Sequence, residues 1–394
     1  MDNTAFGNLV RAYREEHGWK QEELAERWGF TREYVSQIER GKRKLENPEQ
    51  VRRLADILGI PDTELANVGK SWPSKQRPGQ QRDEHDERLL QALLKPAHIT
   101  IKLSSLLLQS AGTLTDQTRN LYELEKRLND ALGRYRGQFR QPALRLLASV
   151  HELLGTEAVE RTATQEATAQ FQAMYDIAEE LGDKDLLTLA MIQQSTMFRR
   201  RGRFELAFRR LEAAEKHARN ASRWLRGHLA KFAARNFYLY GDEQSFLRSI
   251  DQAASIAENI EATVDTLTHG FNKLSVLQER AQGYTMLWQP AKALEIYQET
   301  DKMRPFRPLR DQSSYHIVKA QAYCYHGDLP TGIEHARTGL HIAEQLQSSH
   351  YVLRLQQMCE RLSTTSIGRE QAMRDLLAEI LDIRYKLCQR ANGW

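Results

Sequence analysis

The chain has 394 residues, a formal net charge of +4 at pH 7 and 41% hydrophobic residues. This length exceeds one typical core and predicts two or three domains, and the slight positive charge selects no class of partner. No run reaches the roughly 18 apolar residues that a membrane span requires, so we expect no membrane association. The first residues lack the basic start and apolar core of a secretion signal, so we expect a cytoplasmic protein.

Chemical motifs are scarce. The three cysteines, Cys324, Cys359 and Cys388, lie far apart and without the spacing of a zinc site or a disulfide framework. The strings GxSxG, GxGxxG and HExxH, the Walker loop and the EF-hand spacing are all missing from the sequence. We therefore expect no catalytic residues, no metal, no cofactor and no enzymatic activity.

Apolar residues recur at helical spacing along the whole chain, which predicts an all-α protein. The polar segment Asn67–Glu87 breaks this pattern, since it has no apolar face and contains two prolines and two glycines. We interpret it as a linker. The predicted division is an N-terminal unit at 1–68, a linker at 69–88 and a helical body at 89–394.

The N-terminal unit contains five short helical patterns. They are predicted at Ala5–His17, Lys20–Trp28 and Thr31–Arg40, with a fourth helix starting at Pro48 and a fifth at Pro61. Thr31 is predicted to be an N-cap, because its hydroxyl can accept from an otherwise unpaired backbone N–H. Two short helices joined by a glycine-containing turn, packed under a third, form a helix-turn-helix.

The residues at the framework positions of this unit are more informative than its helical pattern alone. They are Gln21-x-x-Leu24-Ala25, Gly29-x-Thr31, Val35-Ser36-x-Ile38-Glu39-x-Gly41-Lys42-Arg43 and Leu54-Ala55-x-x-Leu58-Gly59. This string resembles the Cro and C1 phage repressors, also called the Xre family, over residues 5–66. The resemblance implies that the third helix enters the major groove of DNA and that Arg14 and Glu39 form an internal ion pair.

The side chains predicted to read bases project from the third helix opposite Val35 and Ile38. Arginine can fork to guanine, glutamine to adenine, and glutamate can accept from cytosine. The predicted base contacts are Arg32, Glu33, Ser36 and Gln37. The predicted DNA-backbone contacts are Gln21, Thr31, Arg40, Lys42, Arg43 and Lys44. The alternative is that these are ordinary solvated positions, with Glu33 pairing locally with Arg32.

The charge of this unit argues for a dimer. Residues 1–66 contain 11 Lys/Arg and 13 Asp/Glu, a net charge of 11 − 13 = −2. Affinity for DNA must then come from one basic face, and a single copy should bind weakly. We therefore expect a homodimer that reads two half-sites of a double-stranded operator.

The helical body contains an internal repeat. Turn signatures align at Gly202, Gly241, Trp288 and Gly327, spaced by 39, 47 and 39 residues. With small residues at Ala207, Ala293 and Gly332, this pattern resembles tetratricopeptide repeats and implies stacked antiparallel helix pairs with a concave groove. A generic α-bundle is the alternative. The last segment, Arg369–Ala391, is predicted to be a capping helix or a dimer element.

A helix-turn-helix unit followed by such repeats resembles the peptide-responsive quorum-sensing regulators of bacteria, and this implies a short peptide in the groove. Repeat geometry predicts a groove wall formed by Gln193, Thr196, Arg200, Arg235, Asn236, Gln278, Gln282, Gln321 and Tyr325. Any of them can instead be a solvated or inter-repeat residue.

One stretch of the body is strongly basic, since Phe198–Arg235 holds 12 Lys/Arg against 3 Asp/Glu. It can clamp a carboxylate, contact DNA backbone, or form a solvated face. The leading functional hypothesis is a dimeric, sequence-specific DNA-binding transcription regulator controlled by a groove-bound peptide. The alternatives are an interaction protein whose groove holds a protein segment, and a regulator that senses a small molecule.

Overall fold

The computed structural model describes residues 3–45, 47–68, 78–110, 114–133, 135–260, 270–303 and 308–392. Nineteen α-helices and no strand lie within these residues, so the chain is all-α as predicted. The chain forms two compact units, Met1–Arg82 and Asp83–Trp394.

The first unit contains the five expected helices. They are α1 (Asn3–Glu16), α2 (Gln21–Trp28), α3 (Arg32–Glu39), α4 (Pro48–Leu58) and α5 (Asp62–Asn67). Thr31 caps α3 as predicted, because its Oγ1 accepts from the backbone N–H of Tyr34 at 3.3 Å. Gly29 ends α2 with φ of +82°, a conformation that glycine adopts without steric cost. This tight turn sets the direction in which α3 leaves α2.

The core of the first unit is formed by the apolar faces that the sequence predicts. Leu24, Trp28, Val35, Ile38 and Leu54 are all buried. The backbones of α1 and α3 touch at Gly7, where a Cβ atom would lie 2.4 Å from the carbonyl oxygen of Ile38. A side chain at this position would push α1 away from α3, so this glycine fixes how closely the candidate recognition helix is held.

The second unit continues the helical pattern to the C-terminus. Its helices are α6 (Pro78–Ser110), α7 (Leu114–Leu132), α8 (Arg140–Glu160), α9 (Thr164–Leu181), α10 (Lys184–Arg200), α11 (Phe204–Ala218), α12 (Arg223–Tyr240), α13 (Glu243–Ala257), α14 (Lys273–Met286), α15 (Pro290–Lys302), α16 (Leu309–His326), α17 (Leu329–Gln345), α18 (Ser349–Leu362) and α19 (Gln371–Asn392). Helix α6 begins at Pro78, so residues 78–88 of the segment interpreted as a linker are helical. Residues 69–77 lie outside the described part of the chain.

From α8 onward the helices form consecutive pairs. Helix α8 packs on α9, α10 on α11, α12 on α13, α14 on α15, α16 on α17 and α18 on α19, and each pair also contacts the next. This is a tetratricopeptide-like α-solenoid rather than a bundle around one core. Its apolar residues accordingly form a series of clusters along the array instead of one centre.

The four turn signatures found in the sequence all end a first helix of a pair. The backbone φ angle is +72° at Gly202, +95° at Gly241, +59° at Trp288 and +97° at Gly327. Trp288 therefore occupies a left-handed position that glycine fills in the other three turns. Its ring is 60% exposed and stacks on Tyr325 at 4.4 Å between centroids.

Small residues allow the helices of the solenoid to approach closely. Ala207 and Ala293 are fully buried, and a Cβ atom on Gly332 would lie 2.4 Å from Sγ of Cys324. Gly283 has the same role between pairs, because an added Cβ would lie 2.3 Å from the ring of Phe246. Each of these positions brings one helix backbone against a neighbouring side chain.

The solenoid bends far enough for α8 to contact α18. The carboxylate of Glu160 accepts a hydrogen bond of 2.6 Å from Oγ of Ser348, the N-cap of α18. It also lies 2.7 Å from the guanidinium of Arg310 in a buried ion pair. We call these three residues the closing cluster, since they join helix pairs that are distant in the chain.

Helix α19 is the second helix of the last pair. Met373, Leu376 and Ile380 are buried in the cluster that also contains residues of α17 and α18. Leu381 and Tyr385 are 45% and 64% exposed on the same helix. None of the described helices is long and apolar enough to cross a membrane.

Candidate functional site

The outer face of α3 carries the side chains expected to read DNA. Arg32, Glu33 and Gln37 are exposed and Ser36 is half-buried, whereas Val35 and Ile38 on the opposite face are buried. The four candidate base-contacting residues therefore share one accessible helix face. Their side chains have the donor and acceptor groups that base edges in the major groove require.

Arg32 is paired within the unit. Its Nε lies 2.8 Å from Oε1 of Glu22 on α2, and both side chains are more than half exposed. The partner is thus Glu22 and not the neighbouring Glu33 considered from the sequence. An exposed pair of this kind contributes about 0–1 kcal/mol, so DNA can displace it at little cost.

Beneath this face, Arg14 and Glu39 form the expected internal ion pair. Arg14 Nε donates to Glu39 Oε1 at 2.6 Å, and the pair links α1 to α3. The hydrogen bond to Glu39 is the main reason that the pKa of Arg14 is raised. The side-chain amide of Gln21 also donates to Glu39, at 2.7 Å. Gln21, predicted to bind the DNA backbone, is therefore partly engaged inside the unit.

The remaining candidate backbone contacts lie at the two ends of α3. Thr31, Arg40, Lys42 and Lys44 are exposed. Arg43 is also exposed, and its guanidinium lies 4.4 Å from the ring of Tyr34. The basic side chains therefore follow the C-terminus of α3 as the sequence indicates, adjacent to the helix face that would meet the bases.

The second unit contains a partly open cavity of about 520 Å³, which lies within the range of volumes of small-ligand pockets. It is lined mainly by α10, α12, α14, α16 and α18, the first helices of successive pairs, with a contribution from the end of α8. The wall combines apolar side chains such as Met286 and Leu353 with a set of arginines. The closing cluster joins α8, α16 and the start of α18 near this cavity.

Four of the nine predicted groove residues line this cavity. They are Arg200, Arg235, Gln282 and Gln321. Gln321 donates to the hydroxyl of Tyr325 at 3.0 Å, so one of its amide hydrogens is already engaged.

The other five predicted groove residues do not line the cavity. Asn236 is buried and donates to Oγ of Ser195 at 3.1 Å, which makes it an inter-helix contact of the solenoid. Thr196 is buried, Gln193 and Gln278 are half-buried outside the lining, and Tyr325 stacks on Trp288.

One wall of the cavity is a network around a buried carboxylate. Glu279 on α14 accepts from Arg235 Nε at 2.8 Å and from the hydroxyl of Tyr238 at 2.8 Å, and Arg235 also donates through a second nitrogen. Burial alone would raise the pKa of Glu279, but the charge and hydrogen bonds of Arg235 outweigh this effect and hold it low. Arg235 is thus neutralised by Glu279.

Several lining residues were missed by the sequence reading, above all His350 and Arg354 on α18. The last turn signature in the sequence is at Gly327, so the pattern does not identify α18 as the first helix of a further pair. The sequence indicates Arg199 only as part of a basic stretch. Its place in the cavity depends on the curvature of the solenoid, which the sequence pattern does not specify.

Within the described residues, no group of three or more His, Cys, Asp or Glu side chains is arranged to hold a metal ion. Residues 5–68 match the family model of the helix-turn-helix domain. The N-terminal unit is therefore a helix-turn-helix domain, followed in the chain by the repeat solenoid.

No curated protein matches the chain. Among solved structures, the chain is similar to the crystal structure of Bacillus thuringiensis PlcR in complex with the peptide PapR7 and DNA. The TM-score is 0.35 and the sequence identity 13%, over 83% of this chain and 99% of that one.

Proposed function

We propose that this protein is a dimeric, sequence-specific DNA-binding transcription regulator whose activity is set by a short peptide bound in the cavity of its solenoid. The observation that carries the proposal is the outer face of α3, within a domain that matches the helix-turn-helix family. The cavity of the second unit supports the sensing role.

The DNA-binding part rests on the division of α3 into two faces. Val35 and Ile38 anchor the helix, and Arg32 and Gln37 project away from them into solvent. A bidentate contact from either side chain to its preferred base contributes about 1–3 kcal/mol of discrimination. The double variant Arg32→Ala, Gln37→Ala should therefore lose sequence-specific binding.

This prediction is tested with DNA from the region upstream of the protein's own gene, by fluorescence anisotropy at fixed salt against scrambled DNA. The double variant should bind the upstream DNA no better than scrambled DNA. Arg11→Ala is the matched control, because it removes a charge from the exposed Arg11–Glu15 pair on α1. Unchanged specificity in the double variant would refute the assignment of α3.

Dimerisation is proposed because the DNA-binding unit carries no excess positive charge. A net charge of −2 over residues 1–66 gives one copy little attraction for DNA, and two linked half-sites compensate for this. Light scattering after size-exclusion chromatography should give twice the chain mass. A monomer that binds its operator at full affinity would contradict this part of the proposal.

The peptide part of the proposal rests on the cavity wall. Gln282 and Gln321 present amides that can pair with a peptide backbone, and apolar residues between them can hold side chains. Mass spectrometry of freshly isolated protein should detect a co-isolated peptide, and native mass spectrometry should measure its stoichiometry. A stable complex with a larger chain would instead favour an interaction protein.

A small-molecule regulator is the second candidate. It is favoured by the cavity's volume of about 520 Å³, which also suits a compact metabolite. A co-isolated non-peptide compound in the same mass spectra would select this alternative.

A further inference from the structure

The arginines of the cavity form an unusual cluster. Among the described lining residues five are arginine and none is Asp or Glu. One of the five, Arg361, is exposed and lies 3.2 Å from Sδ of Met286. Arg235 is neutralised by Glu279, as described above. Arg199, Arg200 and Arg354 lie on the first helices α10 and α18, and we call these three the arginine cluster.

Within the described residues, none of the three guanidiniums of the arginine cluster forms an ion pair with a carboxylate. Nε of Arg199 is buried and has no hydrogen-bond partner in the described part of the chain. Arg354 donates to the neutral hydroxyl of Ser314 at 3.0 Å. The guanidinium of Arg200 lies 3.2–3.4 Å from the ring nitrogens of His350.

The nearest acidic groups are already engaged. Glu279 accepts three hydrogen bonds from Arg235 and Tyr238. Glu160, whose charge acts on Arg200, is held by Arg310 and Ser348 in the closing cluster. The arginine cluster therefore keeps unbalanced positive charge inside the cavity.

Arg199 and Arg354 are half-buried in this wall, whereas Arg200 is exposed. Partial removal from water, with smaller contributions from neighbouring charges, makes the charge of Arg199 costly and lowers its pKa to about 9. Burial also lowers the pKa of Arg354 and, together with the surrounding arginines, keeps the pKa of His350 well below its ordinary value. The helix dipole stabilises the charges of Arg199 and Arg200, because both lie at the C-terminal end of α10. This stabilisation is smaller than the cost of burying a charge.

Groups kept in this state are typical of binding sites, where a ligand supplies the missing opposite charge. Guanidinium groups match the geometry of carboxylate and phosphate oxygens and bind them through paired hydrogen bonds. We propose that the cavity binds a ligand carrying at least two negative charges, as carboxylates or phosphate, held between Arg199, Arg200 and Arg354. This inference rests on the proposed sensing role of the cavity and specifies the chemistry of its ligand.

The rest of the cavity wall can contact the uncharged part of such a ligand. Phe204, Met286, Leu353 and Met358 line the cavity with apolar surface, and Gln282 adds an amide. Both ring nitrogens of His350 lie 3.2–3.4 Å from Arg200, so this ring is engaged with the guanidinium. The anionic source can be an acidic peptide, through its terminal carboxylate and an acidic side chain, or a free phosphate or polycarboxylate.

The test uses the full-length chain and measures thermal unfolding with inorganic phosphate, citrate or chloride at equal ionic strength. Phosphate or citrate should raise Tm in proportion to the logarithm of its concentration, as binding to the folded state requires, and chloride should not. The double variant Arg199→Gln, Arg354→Gln should bind both anions at least tenfold more weakly. Without anion the same variant should unfold at a higher temperature, because it removes two half-buried charges that lack a carboxylate partner in the described part of the chain.

Arg209→Gln is the matched control, since Arg209 is 69% exposed and paired with Glu205 on α11. It should retain the response to both anions. Equal shifts in chloride, phosphate and citrate would overturn the proposal, as would an undiminished response in the double variant. A double variant that binds anions more weakly yet unfolds at a higher temperature indicates a binding role. If the two arginines were purely structural, their loss would lower the unfolding temperature.

A second arm distinguishes the sources of charge and separates this inference from the proposed function. Peptides recovered with the protein are resynthesised with a C-terminal carboxylate or a C-terminal amide. At least tenfold weaker binding of the amide supports the anionic site and the peptide hypothesis together. Equal binding of both forms overturns the charge inference and leaves peptide sensing standing. Binding of citrate or phosphate without any recoverable peptide overturns peptide sensing and supports the anionic site.

Discussion

Replacing Glu279 with glutamine removes the carboxylate that neutralises Arg235 while keeping the size of the side chain. The carboxylate is 4% exposed and accepts three hydrogen bonds, two from Arg235 and one from Tyr238. Removing one partner of a buried pair costs about 3–5 kcal/mol. The Arg235 side chain keeps 30% exposure, so the cost of leaving it unpaired should lie near the lower end of this range. For a unit of this size we expect roughly 2 °C per kcal/mol, and thus a decrease in Tm of about 6 °C.

The pH dependence of this variant gives a second test. The folded state holds the pKa of Glu279 below the value of about 4.3 expected when the chain is unfolded. Its contribution to the free energy of unfolding is therefore complete above that value and is lost as the pH falls through the folded pKa. The difference between wild type and Glu279→Gln should be constant from pH 8 to pH 5 and shrink below about pH 4.

Urea unfolding followed by circular dichroism measures both effects. Glu205→Gln is the matched control, because its pair with Arg209 is exposed on both sides and contributes at most about 1 kcal/mol. The double variant Arg235→Gln, Glu279→Gln should be more stable than Glu279→Gln alone, since no charge is left unpaired. A loss below 1 kcal/mol in the single variant, or strict additivity in the double variant, would refute the reasoning.

Three further predictions concern packing and backbone. Gly283→Ala should lower the free energy of unfolding by about 1–3 kcal/mol in urea titrations, because its Cβ meets the buried ring of Phe246; no loss would show that the pairs adjust freely. Trp288→Gly should be more stable than Trp288→Ala by about 1 kcal/mol in the same assay, since only glycine relieves the positive φ, and the reverse order would contradict this strain. Glu39→Gln should increase hydrogen exchange across α1 and α3 by leaving buried Arg14 with the more exposed Glu15, 3.3 Å away, as its remaining charge partner, whereas unchanged protection would exclude a stabilising role for this pair.

The helix-turn-helix domain was predicted almost completely, because its structure follows from local signals. The cap at Thr31, the turn at Gly29 and the periodic burial of Val35 and Ile38 each depend on a few neighbouring residues. The pairing of Arg32 with Glu22 was not predicted, since it depends on how α2 and α3 face each other. The readout of bases by α3 stays a prediction.

The sequence predicts the repeats of the solenoid but not which residues line its cavity. Turn residues such as Gly202 and Trp288 mark helix ends locally, and all four signatures lie in the left-handed conformation. Which face of a helix lines the cavity depends instead on the curvature accumulated over many pairs. Asn236 was therefore assigned to the groove although it packs between helices, and His350 was missed.

The closing cluster distinguishes this solenoid from an open array of repeats. In an open array each repeat contacts only its neighbours, so stability is a sum of local interactions and an inserted or deleted repeat is tolerated. Here Glu160 and Ser348, 188 residues apart, are in direct contact. Adding or removing a helix pair would separate these two residues, and a contact of such high sequence separation is expected to form late and to slow folding.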